Sequence, residues 1–461
     1  MSLHRFSRYG LALAVLALPA TAFAQGFGLN EMNSCGIGRG YAVTGSPCQD
    51  ASTIFSNPAF AAALSGNSLV LGATSIAVKG TFTRDSLLGR WQTDIPTAYV
   101  PNVYFNHKQS DNLAWGFGVY VPYGLTSEWP GNFPGRFVAD KAAIQTIYFQ
   151  PNIAWKINDN WMIGGGPVIG HSTVELIQSA DLSQQTASAG PTGPITFGML
   201  GIAQGTEFAR GTLKGSAMSY GFALGVYGKI AKHWTMGARY LSSLNFNYSN
   251  GKATFQQVPT GLTLSNGNPL GAPAGTPVDA LVASQFTSGA LVAQSGATEI
   301  AHPDQAEVGV GYDGFDRWLL SADYYWVGWK RFHSLDVQFA NPALNTTQVE
   351  DYNNSSAIRM GAQYTGANSW QWRVGFAGVA AAAPDQTVTP ILPDQDRMNY
   401  TAGLGIPLGK AWTIDAAYAY VWTPGRRGRI VGRSSASQPS FNDGVYTLSA
   451  NIISVSLKAS F

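Results

Sequence analysis

The sequence offers few residues whose types and spacing could do enzyme chemistry. Gly309 to Gly314 has the glycine spacing of a dinucleotide-binding turn, but no helix pattern follows and no acidic partner stands in a βαβ unit. Three Gly-Lys pairs lack the Ser or Thr of a phosphate-binding loop, and no Gly-x-Ser-x-Gly motif supplies a nucleophile. Five of the six histidines lie at positions 107, 171, 233, 302 and 333, and they lack the spacing of metal ligands. We therefore expect no catalytic residues, no metal and no cofactor.

Cys35 and Cys48 are the two cysteines of the chain. A basic start, the apolar run 11–18 and the small residues of Ala22-Phe23-Ala24 predict a secretory signal peptide over residues 1–24. Export would place the cysteines in an oxidising compartment, which favours a disulfide between them. Two buried free thiols are the alternative.

The composition excludes several broad classes of protein. Charged residues make up 12% of the 461 residues, about half of the roughly 25% usual in a soluble domain. Beyond the N-terminus no apolar run approaches the roughly 18 residues of a membrane-spanning helix. The net charge of +2 gives no reason to expect a nucleic acid partner.

Many segments alternate apolar and polar residues with a period of two, which is typical of a strand with one wet face. One such stretch begins at Trp234 and is predicted to keep its apolar face through Leu244, Phe246 and Tyr248. The stretches 412–423 and 453–461 have the same pattern. Strands of this kind need either a core or a lipid environment on their apolar side.

Short polar turns bring a Trp to the start of the returning strand six times. The pattern predicts that these rings lie at one level, which in a bilayer is the headgroup interface. Coincidence in a Trp-rich β protein is the alternative. The six residues are Trp115, Trp161, Trp234, Trp318, Trp370 and Trp412.

The segments between turns predict an all-β fold, a transmembrane barrel of fourteen antiparallel strands. In hydrocarbon every backbone N–H and C=O must find a partner, and a closed sheet leaves no unpaired edge. The long loops should face the cell exterior, near 177–212, 250–301, 340–352, 379–396 and 424–445. The expected strands lie near 67–82, 94–109, 112–122, 140–157, 160–176, 213–231, 233–249, 302–313, 316–339, 353–367, 370–378, 397–409, 412–423 and 446–461.

Residues 25–66 differ from the rest because they hold both cysteines and show no sustained alternation. Fourteen strands enclose a lumen too wide for side chains alone to fill. We therefore expect residues 25–66 to form a plug, or hatch, inside a barrel made by residues 67–461.

Several distinctive blocks stand in order along nearly the whole mature chain. The blocks are Gly26-Phe27-Gly28-Leu29-Asn30-Glu31, Gly36-Ile37-Gly38-Arg39-Gly40-Tyr41-Ala42, Asp50-Ala51-Ser52, Asn57-Pro58-Ala59, Tyr123-Gly124-Leu125-Thr126-Ser127-Glu128-Trp129, Gly135-Arg136-Phe137 and Leu392-Pro393-Asp394-Gln395-Asp396-Arg397. Together they resemble the long-chain fatty acid transporter family of Gram-negative outer membranes, which includes aromatic-hydrocarbon uptake proteins.

The resemblance implies a passive outer-membrane channel for hydrophobic molecules, with long-chain fatty acid as the first candidate cargo. Loops would collect the ligand, a pocket at the plug would hold it, and a gap in the wall would release it sideways. Phe27 stands where the family's plug touches ligand, and Asn57, Pro58 and Ala59 where the plug meets the wall. The resemblance makes these four residues the candidate ligand-binding residues.

The family's gap lies at a kink in the third strand, which the resemblance maps onto Gly116, Phe117 and Gly118. Glycine permits an unusual backbone there and leaves no side chain to block an opening. Packing in a glycine-rich strand is the alternative reading of Gly116 and Gly118.

Fatty-acid-carrying relatives place basic residues in the lumen, whereas the aligned residues here are Thr173 and Asp336. A missing anchor for a carboxylate gives weight to neutral cargo, such as monoaromatic hydrocarbons or other lipids. Export of lipid-derived compounds would use the same architecture. A polar porin and an outer-membrane lipase are the remaining alternatives.

Two groups of residues near the C-terminus suggest partners in the membrane. Arg426, Arg427, Arg429 and Arg433 suit the phosphates of lipopolysaccharide, with capture of cargo as the alternative. Phe461 resembles the terminal signal read by the barrel assembly machinery, and it also fits an aromatic girdle. We expect a monomer.

Overall fold

The computed structural model describes residues 26–85, 89–190, 193–428 and 441–461, so the predicted signal peptide lies outside the described residues. Fourteen antiparallel strands, several of them interrupted, form the wall. They are β1 Asn67–Arg84; β2 Ala98–Lys108, preceded by Arg90–Gln92; β3 Leu113–Tyr120 and Gly124–Glu128; β4 Lys141–Lys156; β5 Trp161–Asp181; β6 Glu207–Ala231; β7 Trp234–Leu241, Leu244–Asn247 and Gly251–Gln257; β8 Gln294–His302 and Gln305–Phe315; β9 Trp318–Val327 and Ser334–Phe339; β10 Thr346–Val349 and Ser355–Thr365; β11 Gln371–Val379; β12 Arg397–Leu408; β13 Trp412–Trp422 and Arg426–Gly428; β14 Gly444–Ser460.

The first and last strands close the sheet into a barrel. β1 pairs with β14 from Ser68 opposite Ser460 to Arg84 opposite Gly444, and on its other side with β2. Each remaining strand pairs with the strands before and after it in the sequence. The prediction of a closed barrel of fourteen antiparallel strands is confirmed.

The helices are short. The α-helices are α1 Ser34–Gly38, α2 Thr53–Ser56, α3 Val278–Val282 and α4 Ser284–Thr287. None in the described parts of the chain is long and apolar enough to cross a bilayer. Turns of 3₁₀-helix lie at Pro58–Ala63, Pro134–Phe137, Leu182–Gln184, Phe197–Leu200, Trp329–Arg331 and Pro342–Leu344, and a hairpin in the β5–β6 connection pairs Thr186–Gly190 with Gly193–Thr196.

The two ends of the barrel differ in their connections. Every even-numbered strand except β14 returns to the next strand through a short turn, so these six turns share one end, the turn end. The opposite loop end carries long connections, including 258–293 and 380–396. Five of the six predicted Trp residues are 38–46% exposed on the outer surface beside the turns, namely Trp115, Trp161, Trp234, Trp318 and Trp412.

The predicted alternation holds along most strands and fails within β7. Trp234 and Met236 are exposed as expected, but Leu244, Phe246 and Tyr248 are buried, so their predicted outward orientation is wrong. The strand is interrupted at Ser242 and Ser243. Because side chains alternate with a period of two, this break shifts which residues point inward.

Candidate functional site

The N-terminal segment, residues 26–66, lies within the ring of strands. Its backbone carbonyls accept hydrogen bonds from inward side chains on opposite sides of the wall. The donors include Tyr104 on β2 (to Met32 O, 3.2 Å), Gln150 on β4 (to Ile54 O, 3.2 Å), Thr235 on β7 (to Gly45 O, 2.7 Å) and Thr401 on β12 (to Gly38 O, 3.4 Å). The segment therefore contacts strands on opposite sides of the barrel.

Covalent and capping interactions hold the segment's own fold. Cys35 and Cys48 form a disulfide. Arg39 is buried beside it and donates from Nη2 to Ser46 O at 2.8 Å. Asn33 caps α1 by accepting from Gly36 N.

Asn57, Pro58 and Ala59 join the segment to the wall. The Asn57 side-chain amide donates to Thr44 O and to Val226 O on β6, both at 3.0 Å. Pro58 O accepts from the Asn152 amide on β4 at 3.2 Å. These three residues, which the sequence suggested for ligand binding, line neither of the two cavities described below.

Phe27 lies in a buried aromatic cluster at the start of the segment. Its ring centroid is 4.6 Å from that of Trp329 and 5.6 Å from that of His302, both in edge-on arrangements. Tyr123 and Phe332 complete the cluster at 5.9 and 5.7 Å. Phe27 also lines a cavity.

This inner cavity has a volume of about 570 Å³ and is lined largely by apolar residues. Inward residues such as Ile144 contribute to it, and so does Ile147 on the same strand, which is 48% exposed on the barrel's outer surface. A cavity lined by both faces of one strand reaches through the wall.

The wall is interrupted between β2 and β3. Their pairing runs from Lys108 opposite Ala114 to Val103 opposite Val119 and ends there. Nearer the loop end, Asp94 N donates to Glu128 O at 2.9 Å. We call the unpaired stretch between these two points the window.

The N-terminal segment takes the place of β2 beside the window. Leu29 N donates to Pro122 O at 2.9 Å, and Gly124 N donates to Phe27 O at 3.1 Å. Backbone groups of β3 that β2 leaves free are thus paired by the segment, and the inner cavity lies alongside.

The residues expected at the gap lie elsewhere. Gly116, Phe117 and Gly118 pair with β2 and also with Pro151 and its neighbours on β4. A Cβ on Gly116 would lie 3.0 Å from Asn106 Cα and 3.1 Å from Ile54 Cδ1, so this glycine permits close packing. The interruption begins after Val119, just beyond these residues on β3.

A second, outer cavity of about 760 Å³ lies at the loop end, lined by residues such as Phe137, Phe208 and Phe339. Ile391 lines the outer cavity, whereas the next residue, Leu392, lines the inner one. The Trp129 indole donates to Pro390 O at 3.1 Å and holds this partition in place.

Several charged residues inside the barrel form ion pairs. Glu307 lies between Arg239 and Arg359, and Arg373 pairs with Asp415. Removing one member of such a buried pair would leave an uncompensated charge, a change that typically costs about 3–5 kcal/mol.

The two positions aligned with the family's lumenal basic residues do not face the lumen. Thr173 and Asp336 are both exposed, so the inference of a missing carboxylate anchor does not follow from them. Sequence reasoning overlooked Arg397, which lines the inner cavity. The block from Leu392 to Arg397 was recognised in the sequence, but nothing in it indicated that Arg397 would line a cavity.

The arginine group near the C-terminus is partly neutralised. Arg426 pairs with Asp385 at 2.8 Å, and Arg427 pairs with Asp85. Arg429 and Arg433 lie outside the described residues. Among the described residues, no cluster of three or more His, Cys, Asp or Glu could hold a metal ion.

Comparison with known families agrees with this geometry. The family model "Outer membrane protein transport protein (OMPP1/FadL/TodX)" matches residues 15–461. The chain belongs to this family. As a member of it, the protein is an outer-membrane protein.

Relatives cover almost the whole chain. The long-chain fatty acid transport protein of Escherichia coli O6:H1 is 26% identical over 426 residues, 90% of this chain and 91% of the relative. Outer membrane protein P1 of Haemophilus influenzae is 22% identical over 443 residues, 90% of each chain.

Solved structures share the fold of the protein described here. A FadL homologue from Pseudomonas aeruginosa has a TM-score of 0.78 at 21% identity, covering 95% of this chain and all of that one. The toluene transporter TodX from P. putida has a TM-score of 0.65 at 16% identity, covering 95% of this chain and 99% of that one.

Proposed function

We propose that this protein carries hydrophobic molecules, most readily long-chain fatty acids, passively across the outer membrane and releases them sideways into the lipid. The observation that carries this proposal is the inner cavity, which is largely apolar and continues through the wall to Ile147 on the lipid-facing surface. The name of the Escherichia coli relative supports fatty acid as the cargo.

The two cavities suggest an ordered path. The outer cavity, at the end we assign to the cell exterior, collects cargo, which then passes the partition of Trp129 and Leu392 into the inner cavity. An apolar molecule gains little from a water-filled pore, but it stays out of water if it moves from an apolar cavity into acyl chains. The window provides that route.

Residues 25–66 act in this proposal as a plug domain within a barrel domain of residues 67–461. The segment contacts the wall on several sides and pairs with β3 beside the window. Movement of Phe27 to Leu29 away from β3 would therefore widen the window without breaking the pairing between neighbouring barrel strands.

Neutral aromatic cargo is the second candidate. The aromatic cluster around Phe27 offers ring faces and edges to a small arene, and TodX is named as a toluene transporter. The same path could also export a lipid-derived compound. No step in either scheme requires catalysis.

Two further partners remain proposals. Lipopolysaccharide phosphates would meet the arginine group at the loop end, where Arg426 and Arg427 already have carboxylate partners. The terminal Phe461 is 66% exposed and is accessible to the barrel assembly machinery. We expect the protein to act as a monomer.

Gly124→Trp tests the sideways route. Gly124 lines the inner cavity, and a Cβ there would lie 3.1 Å from Leu29 Cδ1, so an indole would fill the cavity beside the window. We expect the variant to lose fatty acid uptake in liposomes. Gly131→Trp is the matched control, because Gly131 is exposed and a Cβ there has only Arg210 Nη2 nearby, at 3.8 Å.

Unchanged uptake by correctly folded Gly124→Trp would contradict the route. Rapid flux of small sugars through the wild-type protein, without preference for hydrophobic solutes, would instead indicate a polar porin.

A further inference from the structure

A row of charged side chains crosses the outer surface of the barrel towards its loop end. Glu175 on β5 lies opposite Lys214 on β6, and Lys214 lies opposite Lys252 on β7. Leu213 and Ala253, the neighbours of the two lysines along their strands, are buried. Because successive side chains point to opposite faces of a strand, the charged row points away from the lumen and into the surroundings of the barrel.

The row lies above the apolar part of the barrel's outer surface. Every second residue of β6 from Met218 to Val226 is exposed and either apolar or aromatic, whereas Ser216 and Lys214 continue the same face towards the loop end. The stretch of β5 from Trp161 to Glu175 corresponds to roughly 35 Å along the barrel axis, for about 3.3 Å per residue and a tilt of about 40°. The apolar band of such a barrel is about 25 Å tall. The row therefore reaches the lipid headgroups at the end that we assign to the cell exterior.

The positive charges of the row are only partly neutralised. Lys214 Nζ lies 2.7 Å from Glu175 Oε1, yet 65% of the Lys214 side chain remains exposed. The other Glu175 oxygen lies 3.4 Å from Lys141 on β4, which also pairs with Glu128. Among the described residues, no acidic side chain forms an ion pair with Lys252, which is exposed. Lys252 thus carries an uncompensated charge at the membrane surface.

Lys214 and Lys252 form a like-charge pair across neighbouring strands. Their Cα atoms are partners in the register of β6 and β7, and like charges directly opposite each other destabilise a strand pair. Beyond Lys252 the row continues to Ser295 on β8, which carries no charge. An ammonium group has three donors and no acceptor, so an anion with several oxygen atoms between the two lysines would relieve the repulsion. A phosphate group has that chemistry.

We propose that Lys214 and Lys252 bind a phosphate group of lipopolysaccharide, the phosphorylated lipid of the outer leaflet. The acyl chains of the lipid would lie along the exposed apolar face of β6 that begins at Met218. This site is separate from the arginine group near the C-terminus, where Arg426 and Arg427 already have carboxylate partners. The inference goes beyond transport and concerns how the barrel is held among the lipids around it.

The test compares lipid A, the acylated anchor of lipopolysaccharide, with and without its phosphate groups. Binding of each form to the full-length, detergent-purified barrel is measured by native mass spectrometry. The wild-type protein should prefer the phosphorylated form. Replacing both lysines, Lys214→Gln together with Lys252→Gln, should weaken binding of the phosphorylated form roughly thirtyfold and leave binding of the other form unchanged.

Lys232→Gln together with Lys410→Gln is the matched control. Both of these lysines are exposed in turns at the opposite end of the barrel, so the control removes the same charge without changing the row. It should bind both forms of lipid A as the wild type does. An equal loss of binding in the two double variants would reduce the effect to net charge and overturn the site. Unchanged binding after replacement of Lys214 and Lys252 would also overturn it.

Two measurements on the wild-type protein test the ligand itself. Raising the salt concentration should weaken binding of phosphorylated lipid A, because salt screens exposed charges. Equal binding of the two forms at every salt concentration would show that the acyl chains alone bind, and would overturn the phosphate contact. Inorganic phosphate at the same concentration as the lipid should not displace it, because phosphate lacks the apolar contacts of the acyl chains. Displacement would show a site for free phosphate and overturn the assignment to a lipid.

Discussion

Gly375→Ala should dislodge the N-terminal segment from the barrel wall. Gly375 lies on β11, and a Cβ there would lie 2.5 Å from the carbonyl carbon of Arg39 and in still closer contact with Gly40 N. β11 pairs with β10 on one side and β12 on the other, so the strand has little freedom to move away. Gly40 must then shift, and its hydrogen bond to Thr401 Oγ1, 3.0 Å long, would be strained.

The size of the effect follows from the cost of overpacking. An extra methyl group in a well-packed site costs about 1–3 kcal/mol. This penalty applies only when the N-terminal segment is in place against the wall. The population of molecules with a displaced segment should therefore rise roughly 5- to 150-fold. A displaced segment leaves the lumen of a fourteen-stranded barrel open to ions.

Ion conductance in planar bilayers measures that population. We expect Gly375→Ala to show open events more often than the wild type, by a factor in this range. Gly378→Ala on the same strand is the matched control, because its added Cβ would lie 3.7 Å from the Phe376 ring, an ordinary contact. Equal conductance of the two folded variants would show that the close approach of Gly375 to Gly40 does not hold the N-terminal segment in place, and it would refute the prediction.

Two further predictions concern stability. Replacing Cys35 and Cys48 by Ser should lower the melting temperature, since a disulfide closing a loop of this size (sequence separation 13) contributes about 3 kcal/mol. The melting temperature measured with and without a reductant provides the check. An unchanged melting temperature would show that the disulfide does not stabilise the protein. Burial, with a smaller contribution from Asp394, raises the pKa of the Glu350 carboxyl at the loop end. A raised carboxyl pKa favours the protonated folded state, so stability is lost as the pH rises above the unfolded value of about 4.3. Glu350→Gln should therefore melt higher than the wild type at pH 8 and similarly at pH 4; a difference independent of pH would contradict this.

The amino-acid sequence by itself determined the architecture of the wall. Turns and two-residue alternation are local properties, so they were enough to indicate fourteen strands, the short Trp-bearing turns and the membrane environment. The family blocks were local too, and the family is confirmed. Trp234 and Met236 are exposed on the predicted outer face because β7 pairs with a strand on each side there, which fixes the side chains that point outward.

The tertiary structure alone decided where the wall opens and what the cavities present. The change at Ser242 in which side chains of β7 point inward depends on how β7 pairs with its neighbours. The local sequence pattern gave no sign of this change. The window depends on where pairing between β2 and β3 stops, and Arg397 reaches the inner cavity only because β12 and the N-terminal segment converge. Such features depend on groups far apart in the chain, which local patterns do not record.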